Sequence, residues 1–338
     1  MPTTGLSDIT LNAVEARHSA LRGSIRMTPV LALDAPPLST ALGDATLVLK
    51  LECFQHTGTF KARGALSNVR AVPKNRQDAG ITAASAGNHA IAAAWAARAS
   101  GISAKVVMQN NANPFRVECA RAMGADVIMK EPGTPTFAEA ERLAANEGRT
   151  FIHPFDGFDT VLGTAGVGLE LMERVPDLDA VVVAVGGGGL IGGVAAAVKL
   201  INPACLVYGV ELEGADAMSR SLAIGAPATL DKVDTIADSL GPPMALPLGF
   251  AICKAYVDAM VTVTDEAICA GMLVFQQYAK IAVEPAAGAA MAGVLGPLAK
   301  RLYGKRVGVI VCGANIDAAT FAAQLARGEA HKGLLAGF

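Results

Sequence analysis

Apolar runs rich in valine and isoleucine alternate along the chain with longer, alanine-rich segments whose apolar positions follow a helical period. The runs predict strands buried on both faces, and the longer segments predict amphipathic helices. The predicted strands are residues 46–51, 105–108, 126–129, 180–185, 206–210, 260–263 and 307–312. The predicted helices are residues 88–100, 114–123, 136–147, 190–200, 265–279 and 317–326. This alternation is typical of βαβ units, so we expect a three-layer α/β fold with mostly parallel sheets.

Composition and charge narrow the class of protein. The chain has 338 residues, of which 52% are hydrophobic, and a net charge of −2 leaves no basic footprint for nucleic acid or an anionic membrane. The apolar stretches contain glycines and are too short to cross a bilayer. The N-terminus shows no secretory signal, so we expect a cytoplasmic protein with reduced thiols. The histidines and cysteines are scattered, which argues against a zinc site.

Lys61 is the first candidate for chemistry. It follows small and hydroxyl residues and begins a stretch that favours a helix. A helix N-terminus favours anions, so it lowers the pKa of an amine and makes that amine a better nucleophile toward an aldehyde. A lone lysine is nevertheless usually a solvated surface residue, and by its local sequence alone Lys61 is interpreted as one.

Two segments suit an anion. Residues 85–89, S-A-G-N-H, follow an apolar run and open a predicted helix whose N–H groups can bind a carboxylate or phosphate, although an ordinary helix cap is the simpler interpretation. Four consecutive glycines at 186–189 connect a predicted strand to a predicted helix. A strand-to-helix turn rarely needs four glycines, so this segment predicts a phosphate site.

The glycine-rich segment also supports a competing hypothesis. Residues 187–192 satisfy G-x-G-x-x-G, and Glu211 ends the next predicted strand, about where a ribose-binding acid would lie. This pattern fits an NAD(P)-binding oxidoreductase. Against that hypothesis, the motif lies in the second half of the chain and leaves Lys61 and Asn88 unexplained.

Cys312 ends the predicted strand 307–312, at an edge where α/β proteins bind ligands. A buried structural cysteine is the simpler interpretation of this residue taken alone.

Taken together and in order, these segments resemble the fold-type II pyridoxal-phosphate enzymes, specifically threonine/serine dehydratases and serine racemases. Residues 59–65, T-F-K-A-R-G-A, are similar to the family's S-F-K-x-R-G-A lysine motif, and residues 85–89 to its S-x-G-N-H loop. The four glycines resemble its phosphate cup, and residues 312–315, C-G-A-N, resemble its S-G-G-N segment.

The resemblance implies a two-domain fold of the tryptophan synthase β kind. Residues 1–79 and 156–338 would form the large domain that binds pyridoxal 5′-phosphate, and residues 80–155 the small domain. Lys61 would bind the cofactor as a Schiff base and move the substrate's α-proton. The other implied cofactor contacts are Phe60, Asn88, Gly186, Gly187, Gly188, Gly189, Leu190 and Cys312. The implied substrate contacts are Ser85, Ala86, Gly87, Asn88 and His89. Family members commonly form homodimers.

The implied reaction is β-elimination: a small hydroxy-amino acid such as L-threonine or L-serine yields a 2-keto acid and ammonia. Serine racemases carry a second serine where this chain has Ala86. An alanine cannot transfer a proton, so the sequence favours dehydration over racemisation. Phenylserine and hydroxyaspartate remain alternative substrates.

Other positions depart from the family pattern. Glu211 and the Ala215 carbonyl match two ligands of the racemase cation site, but Ala217 replaces the third, so a divalent cation is not favoured there. Ser239 replaces a racemase glycine and could line the substrate pocket. Arg116 would suit an acidic substrate, but we interpret it as a surface arginine on a helix.

Overall fold

The computed structural model describes residues 5–85 and 87–338. The strands are β1 Val30–Ala32, β2 Thr46–Lys50, β3 Ile81–Ser85, β4 Ala104–Gln109, β5 Asp126–Lys130, β6 Thr150–Phe151, β7 Ala180–Ala184, β8 Leu206–Leu212, β9 Ala259–Val263 and β10 Arg306–Ile310. The α-helices are α1 Leu11–Leu21, α2 Pro36–Ala41, α3 Lys61–Ala71, α4 Asn88–Ala99, α5 Pro114–Ala122, α6 Thr134–Glu147, α7 Phe158–Arg174, α8 Gly189–Ile201, α9 Ala217–Ile224, α10 Pro247–Tyr256, α11 Asp265–Val274, α12 Pro285–Leu295 and α13 Ala318–His331.

A six-stranded sheet in the order β1-β2-β10-β7-β8-β9 forms the larger half of the molecule. The pair β1–β2 is antiparallel, and every other pair in this sheet is parallel. Each residue of β7 is buried, as expected for a parallel strand covered on both faces. Helices α7 and α8 pack against each other, and α12 lies against β7 and β8.

A second sheet has four parallel strands in the order β5-β4-β3-β6. All of them fall between residues 81 and 151, inside the segment predicted to be the small domain. Helices α4 and α6 contact β3 and β4, and alanines of α4 are the main small residues of this core.

The carboxyl ends of three parallel strands lead into segments singled out in the sequence. β3 ends at Ser85, β7 leads into Gly186 and β10 leads into Cys312. In open α/β sheets ligands bind at this edge, so the topology brings distant motifs to one cleft. No helix within the described ranges combines the length and apolar character needed to span a bilayer.

Candidate active site

A cavity of about 480 Å³ lies where these strand ends meet, which is within the usual size of small-molecule sites. The sequence-predicted residues that line it are Phe60, Lys61, Ser85, Gly87, Asn88, His89, Gly186, Gly187, Gly188, Gly189, Leu190 and Cys312. Ala86 lies outside the described residues, so the preference for dehydration over racemisation that we inferred from it stays a prediction. All other predicted cofactor and substrate contacts therefore share one cavity.

Lys61 is the first residue of α3, and its side chain enters the cavity. Its amine donates a hydrogen bond to the Pro154 carbonyl at 2.7 Å and lies 5.2 Å from the centroid of the Phe60 ring. Burial lowers the pKa of this amine to about 8, although Glu284 and Cys312 work in the opposite direction. A substantial neutral fraction near neutral pH makes Lys61 a competent nucleophile and base.

The segment before Lys61 is fixed to the segment that carries Cys312. The Phe60 N–H donates to the Cys312 carbonyl at 3.0 Å, and the Ala314 N–H donates to the Gly58 carbonyl at 3.0 Å. Burial and the charge of Glu284 raise the pKa of the Cys312 thiol well above its usual value, so the thiol is neutral. Two motifs some 250 residues apart in sequence thus form one wall.

The four glycines form a turn that other side chains could not make. Gly188 has φ +89°, in the left-handed region that favours glycine. A Cβ on Gly187 would lie 2.1 Å from the Phe155 ring, so this position admits only hydrogen. The first N–H groups of α8 open onto the cavity from this turn, which is a suitable cradle for a phosphate.

The loop before α4 also presents groups that can bind an anion. The Ser85 hydroxyl accepts a hydrogen bond from the Gly87 N–H at 3.0 Å. His89 donates from Nε2 to the Ile152 carbonyl at 2.9 Å, and burial together with the charge of Lys61 lowers the pKa of its ring to about 3. His89 is therefore neutral, and the anion-binding groups of this loop are the helix-start N–H groups.

These residues fit pyridoxal 5′-phosphate, because a lysine of lowered pKa and a glycine cradle face the same cavity. The family described as "Pyridoxal-phosphate dependent enzyme" matches residues 21–313. The chain belongs to this family. The enzyme is 46% identical to a phenylserine dehydratase from Ralstonia pickettii, over 97% of this chain and 99% of the relative.

Two further proteins are similar to the enzyme over most of its length. An L-threonine ammonia-lyase from Thermotoga maritima is 36% identical over 91% of the enzyme and 76% of the relative. The solved structure of maize serine racemase superposes with a TM-score of 0.88 at 32% identity, covering 95% of the enzyme and 98% of that chain. The predictions of fold, cofactor and lyase activity by β-elimination are confirmed.

The Glu211 carboxylate is engaged at a helix start, which argues against its role as a ribose-binding acid in the dinucleotide hypothesis. Its side chain is fully buried, and its carboxylate accepts the N–H groups of Met218 and Ser219 at 2.9 and 2.7 Å at the start of α9. Burial raises the pKa of this carboxyl to about 7 despite those bonds. Among the described residues, no group of three or more His, Cys, Asp or Glu side chains is arranged to hold a metal ion.

Arg116 corrects our interpretation of a surface arginine. It is 7% exposed, lines the cavity, and forms an ion pair with Asp238 at 2.5 Å. Burial opposes its charge, but Glu284 and Asp238 outweigh that effect and raise the pKa of Arg116. A Cβ on Gly87 would lie 2.5 Å from the Arg116 side chain, so the glycine makes room for it. Helical periodicity cannot distinguish outward-facing from cleft-facing arginines.

Glu284 is the functional candidate that sequence reasoning missed. It precedes Pro285 at the start of α12, is 2% exposed, and lines the cavity. Its carboxylate accepts Asn88 Nδ2 at 2.8 and 2.9 Å and the Ser239 hydroxyl at 3.2 Å. Burial raises the pKa of Glu284, while Arg116 and Asn88 oppose that shift. The only local signal was an acidic residue before proline, which marks helix starts in general.

Proposed function

We propose that this enzyme eliminates water and ammonia from a β-hydroxy-α-amino acid that carries an aromatic group, such as phenylserine. The observation that supports this most is the apolar part of the cavity wall. It contains Phe137, Phe155, Leu240, Pro242, Met244 and Leu246. L-Threonine and L-serine, our first candidates, would leave much of this wall without contacts. The phenylserine dehydratase relative, similar over nearly the whole chain, supports the same substrate class.

The aromatic residues form a connected array. Phe137 meets Phe151 edge-on, with ring centroids 6.5 Å apart, and lies 6.1 Å from His153. His153 in turn meets Phe155 edge-on at 4.6 Å. Such edge-to-face contacts are favourable and hold the rings in fixed orientations. Phe137 and Phe155 line the cavity, whereas Phe151 packs behind them, so the array presents a preorganised surface to an aromatic substituent.

Lys61 is the proposed covalent attachment point and the base that takes the α-proton. When bound, pyridoxal phosphate delocalises negative charge that develops at the substrate's α-carbon. A lysine with a pKa near 8 can accept that proton near neutral pH and return it to a later species. Its amine lies 5.2 Å from the centroid of the Phe60 ring, which is proposed to pack beside the cofactor.

We assign roles to the other residues according to the part of the cavity wall that they form. The N–H groups of Gly186, Gly187, Gly188, Gly189 and Leu190 would hold the phosphate, and residues 85–89 the substrate carboxylate. Phe60 would pack beside the ring, Asn88 would bind its hydroxyl, and the neutral Cys312 thiol would face its nitrogen. Because a neutral thiol cannot force a proton onto that nitrogen, the ring stays a moderate electron sink, which suits prompt elimination.

The proposal also covers the division into domains, the oligomeric state and the location in the cell. Residues 80–155 would form the small domain and residues 1–79 with 156–338 the large one, since the four strands of the second sheet all fall within the former segment. The family resemblance supports a homodimer, and the six free cysteines suit the reducing conditions of a cytoplasm.

A keto-acid assay across phenylserine, threonine, serine and hydroxyaspartate tests the substrate class. We expect the largest kcat/KM with phenylserine. Phe137→Ala should lower that value about tenfold and change the serine value much less, because only the aromatic substrate uses the ring. Phe151→Leu is the matched control, since it removes a ring of the same array that does not line the cavity. A kcat/KM for serine or threonine above that for phenylserine would refute the proposal.

A further inference from the structure

We propose that Asn315 is a positioning residue that orients the amide of Asn88, so that the cofactor's ring oxygen meets an N–H donor. The inference rests on the proposed attachment of the cofactor to Lys61. Asn315 ends the C-G-A-N segment that follows β10, and it lies outside our predicted set of cofactor contacts. Its side chain and main chain contact four different segments around the cavity.

The orientation of the Asn315 amide is set by a main-chain carbonyl. Its Nδ2 donates to the Thr57 carbonyl oxygen at 2.8 Å. A carbonyl oxygen can only accept, so the nitrogen of the amide must occupy this side. Thr57 itself has φ +63°, and Gly58 has φ +72°. A Cβ on Gly58 would lie 2.6 Å from Asn315 Oδ1, so the backbone turn at 57–58 is shaped around the Asn315 side chain.

Asn315 passes this orientation to Asn88. The same Nδ2 donates its second hydrogen to Asn88 Oδ1 at 2.9 Å. The Asn88 oxygen is thereby engaged, and Asn88 Nδ2 points to Glu284, whose two oxygens lie 2.8 and 2.9 Å away. A series of hydrogen bonds therefore runs from the Thr57 carbonyl through Asn315 and Asn88 to the Glu284 carboxylate, and the groups at both ends are acceptors. Reversing either amide would place oxygen against oxygen.

This direction has a consequence for the bound cofactor. Asn88 lines the cavity, and Asn315 occupies one acceptor site of its Oδ1. The proposed contact to the ring oxygen therefore falls to Asn88 Nδ2, which carries two hydrogens and also bonds to Glu284. A ring oxygen that receives an N–H bond is favoured as the anion over the protonated hydroxyl. With pyridoxal phosphate bound, the proton would stay on the Lys61 nitrogen, and the cofactor carbon joined to it would be a better electrophile for the substrate amine. The yellow, long-wavelength absorbing form would then be preferred over the near-ultraviolet form.

The Asn315 main chain anchors the same arrangement. Its N–H donates to Glu284 Oε2 at 3.1 Å. Its carbonyl accepts Arg116 Nε at 3.1 Å and a second Arg116 nitrogen at 3.0 Å. These main-chain bonds do not depend on the side chain, so truncating Asn315 removes the orienting hydrogen bonds while leaving the anchor in place.

The test compares Asn315→Ala and Asn315→Ser with wild type, each loaded with pyridoxal phosphate. We expect the ratio of long-wavelength to near-ultraviolet absorbance to fall about tenfold in Asn315→Ala, the effect of weakening one bond to a charged oxygen. Asn315→Ser, whose hydroxyl has a single hydrogen to donate, should give an intermediate ratio. The dissociation constant for the cofactor should rise in the same order.

Asn113→Ser is the matched control. Asn113 Nδ2 donates to Asp317 at 2.8 Å, and its Oδ1 caps α5 by accepting the Phe115 N–H at 2.9 Å. Serine keeps the cap and removes the amide contact, which lies two residues from Asn315 but does not touch Asn88. This variant should keep the wild-type absorbance ratio. If Asn315→Ala and Asn315→Ser also keep it, across pH 6 to 9, the positioning role is refuted.

The same spectra separate this inference from the proposed function. A wild-type protein that stays colourless with pyridoxal phosphate would contradict attachment at Lys61 and the positioning role with it. A yellow wild type with unchanged variant spectra would contradict the role of Asn315 alone. Should Asn315→Ala be recovered unfolded, the comparison between Asn315→Ser and Asn113→Ser decides the matter by the same ratio.

Discussion

Lys61 and Arg63 are two residues apart at the start of α3, yet their surroundings are opposite. Lys61 enters the cavity and donates to a neutral carbonyl. Arg63 is fully buried and donates to two carboxylates, with Nε 2.8 Å from Glu52 and Nη1 2.6 Å from Glu170. Burial lowers the pKa of Lys61 to about 8. Burial acts in the same direction on Arg63, but Glu52 and Glu170 outweigh it and raise the pKa of Arg63.

The difference shows that carboxylate partners outweigh burial at Arg63, whereas burial prevails at Lys61 and lowers the pKa of Lys50 too, despite Glu52 and Glu170. Lys50 completes the charge balance on the Arg63 side by bonding to Glu170 at 2.5 Å, so two cations face two carboxylates. We infer that this ion cluster anchors the first turn of α3, while the other side of the same turn presents an amine poised to lose its proton. One short segment thus supplies both the support and the proposed reactive group.

Removing the amine should have the largest effect on activity. Lys61→Ala should lower kcat at least about 10³-fold, because the proposed base and covalent attachment are both lost. The free energy of unfolding should stay the same or rise, since the amine donates to the neutral Pro154 carbonyl and burial disfavours its charge. Keto-acid production and urea unfolding measure the two quantities. If Lys61→Ala keeps more than about one-hundredth of the wild-type activity, the proposed difference between a reactive Lys61 and a stabilising Arg63 is contradicted.

Removing the guanidinium should have its main effect on stability. Arg63→Met leaves Glu52 and Glu170 buried with one cation fewer, which should cost about 3–5 kcal/mol in the free energy of unfolding. Arg70→Met is the matched control on the same helix, because Arg70 is exposed and bonds to the Ala20 carbonyl and the Ser24 hydroxyl, which carry no charge. It should cost less than about 0.5 kcal/mol. Equal losses in the two variants would contradict the anchoring role.

A smaller, pH-dependent effect should distinguish the two cations in the cofactor-free protein. The pKa of Lys61 falls from 10.5 to about 8 on folding, so between these values the unfolded chain binds more protons than the folded one. Stability relative to Lys61→Met should therefore rise with pH from about 8 to 10. Urea unfolding at several pH values measures this difference. A flat or falling difference would show that the folded state does not depress the pKa of Lys61.

Seven strands could be predicted from sequence because their apolar runs are continuous, whereas β1, β3 and β6 were not among the predicted strands. The predicted runs at 46–51 and 180–185 match β2 and β7 to within one residue. Helices α7 and α12, which have almost no polar face to reveal a period, were missed, and so were α1, α2, α9 and α10. Helix α12 is buried at every residue, and α7 contains three glycines that look unsuited to a helix. A Cβ on Gly163 of α7 would lie 2.7 Å from the Arg63 carbonyl, so close packing of helices overrides propensity there.

The candidate site, like the fold, could be predicted from sequence only in part. Lys61, the S-A-G-N-H loop, the four glycines and Cys312 were predicted because they are contiguous motifs with a resemblance in order. Glu284, Arg116 and the orienting role of Asn315 depend on contacts between segments up to 258 residues apart, which no local pattern records. The predicted helix 265–279 also ends differently: α11 stops at Val274, and a π-helical turn follows over Phe275–Ala279.

We propose that Lys61, and no other lysine, binds the cofactor covalently. Borohydride reduction of the protein loaded with pyridoxal phosphate, followed by peptide mapping, tests it directly. We predict one pyridoxyl adduct, on the peptide that contains Lys61, with Lys50 in the ion cluster unmodified. An adduct on another lysine, or no adduct on a protein that retains keto-acid activity, would contradict the account.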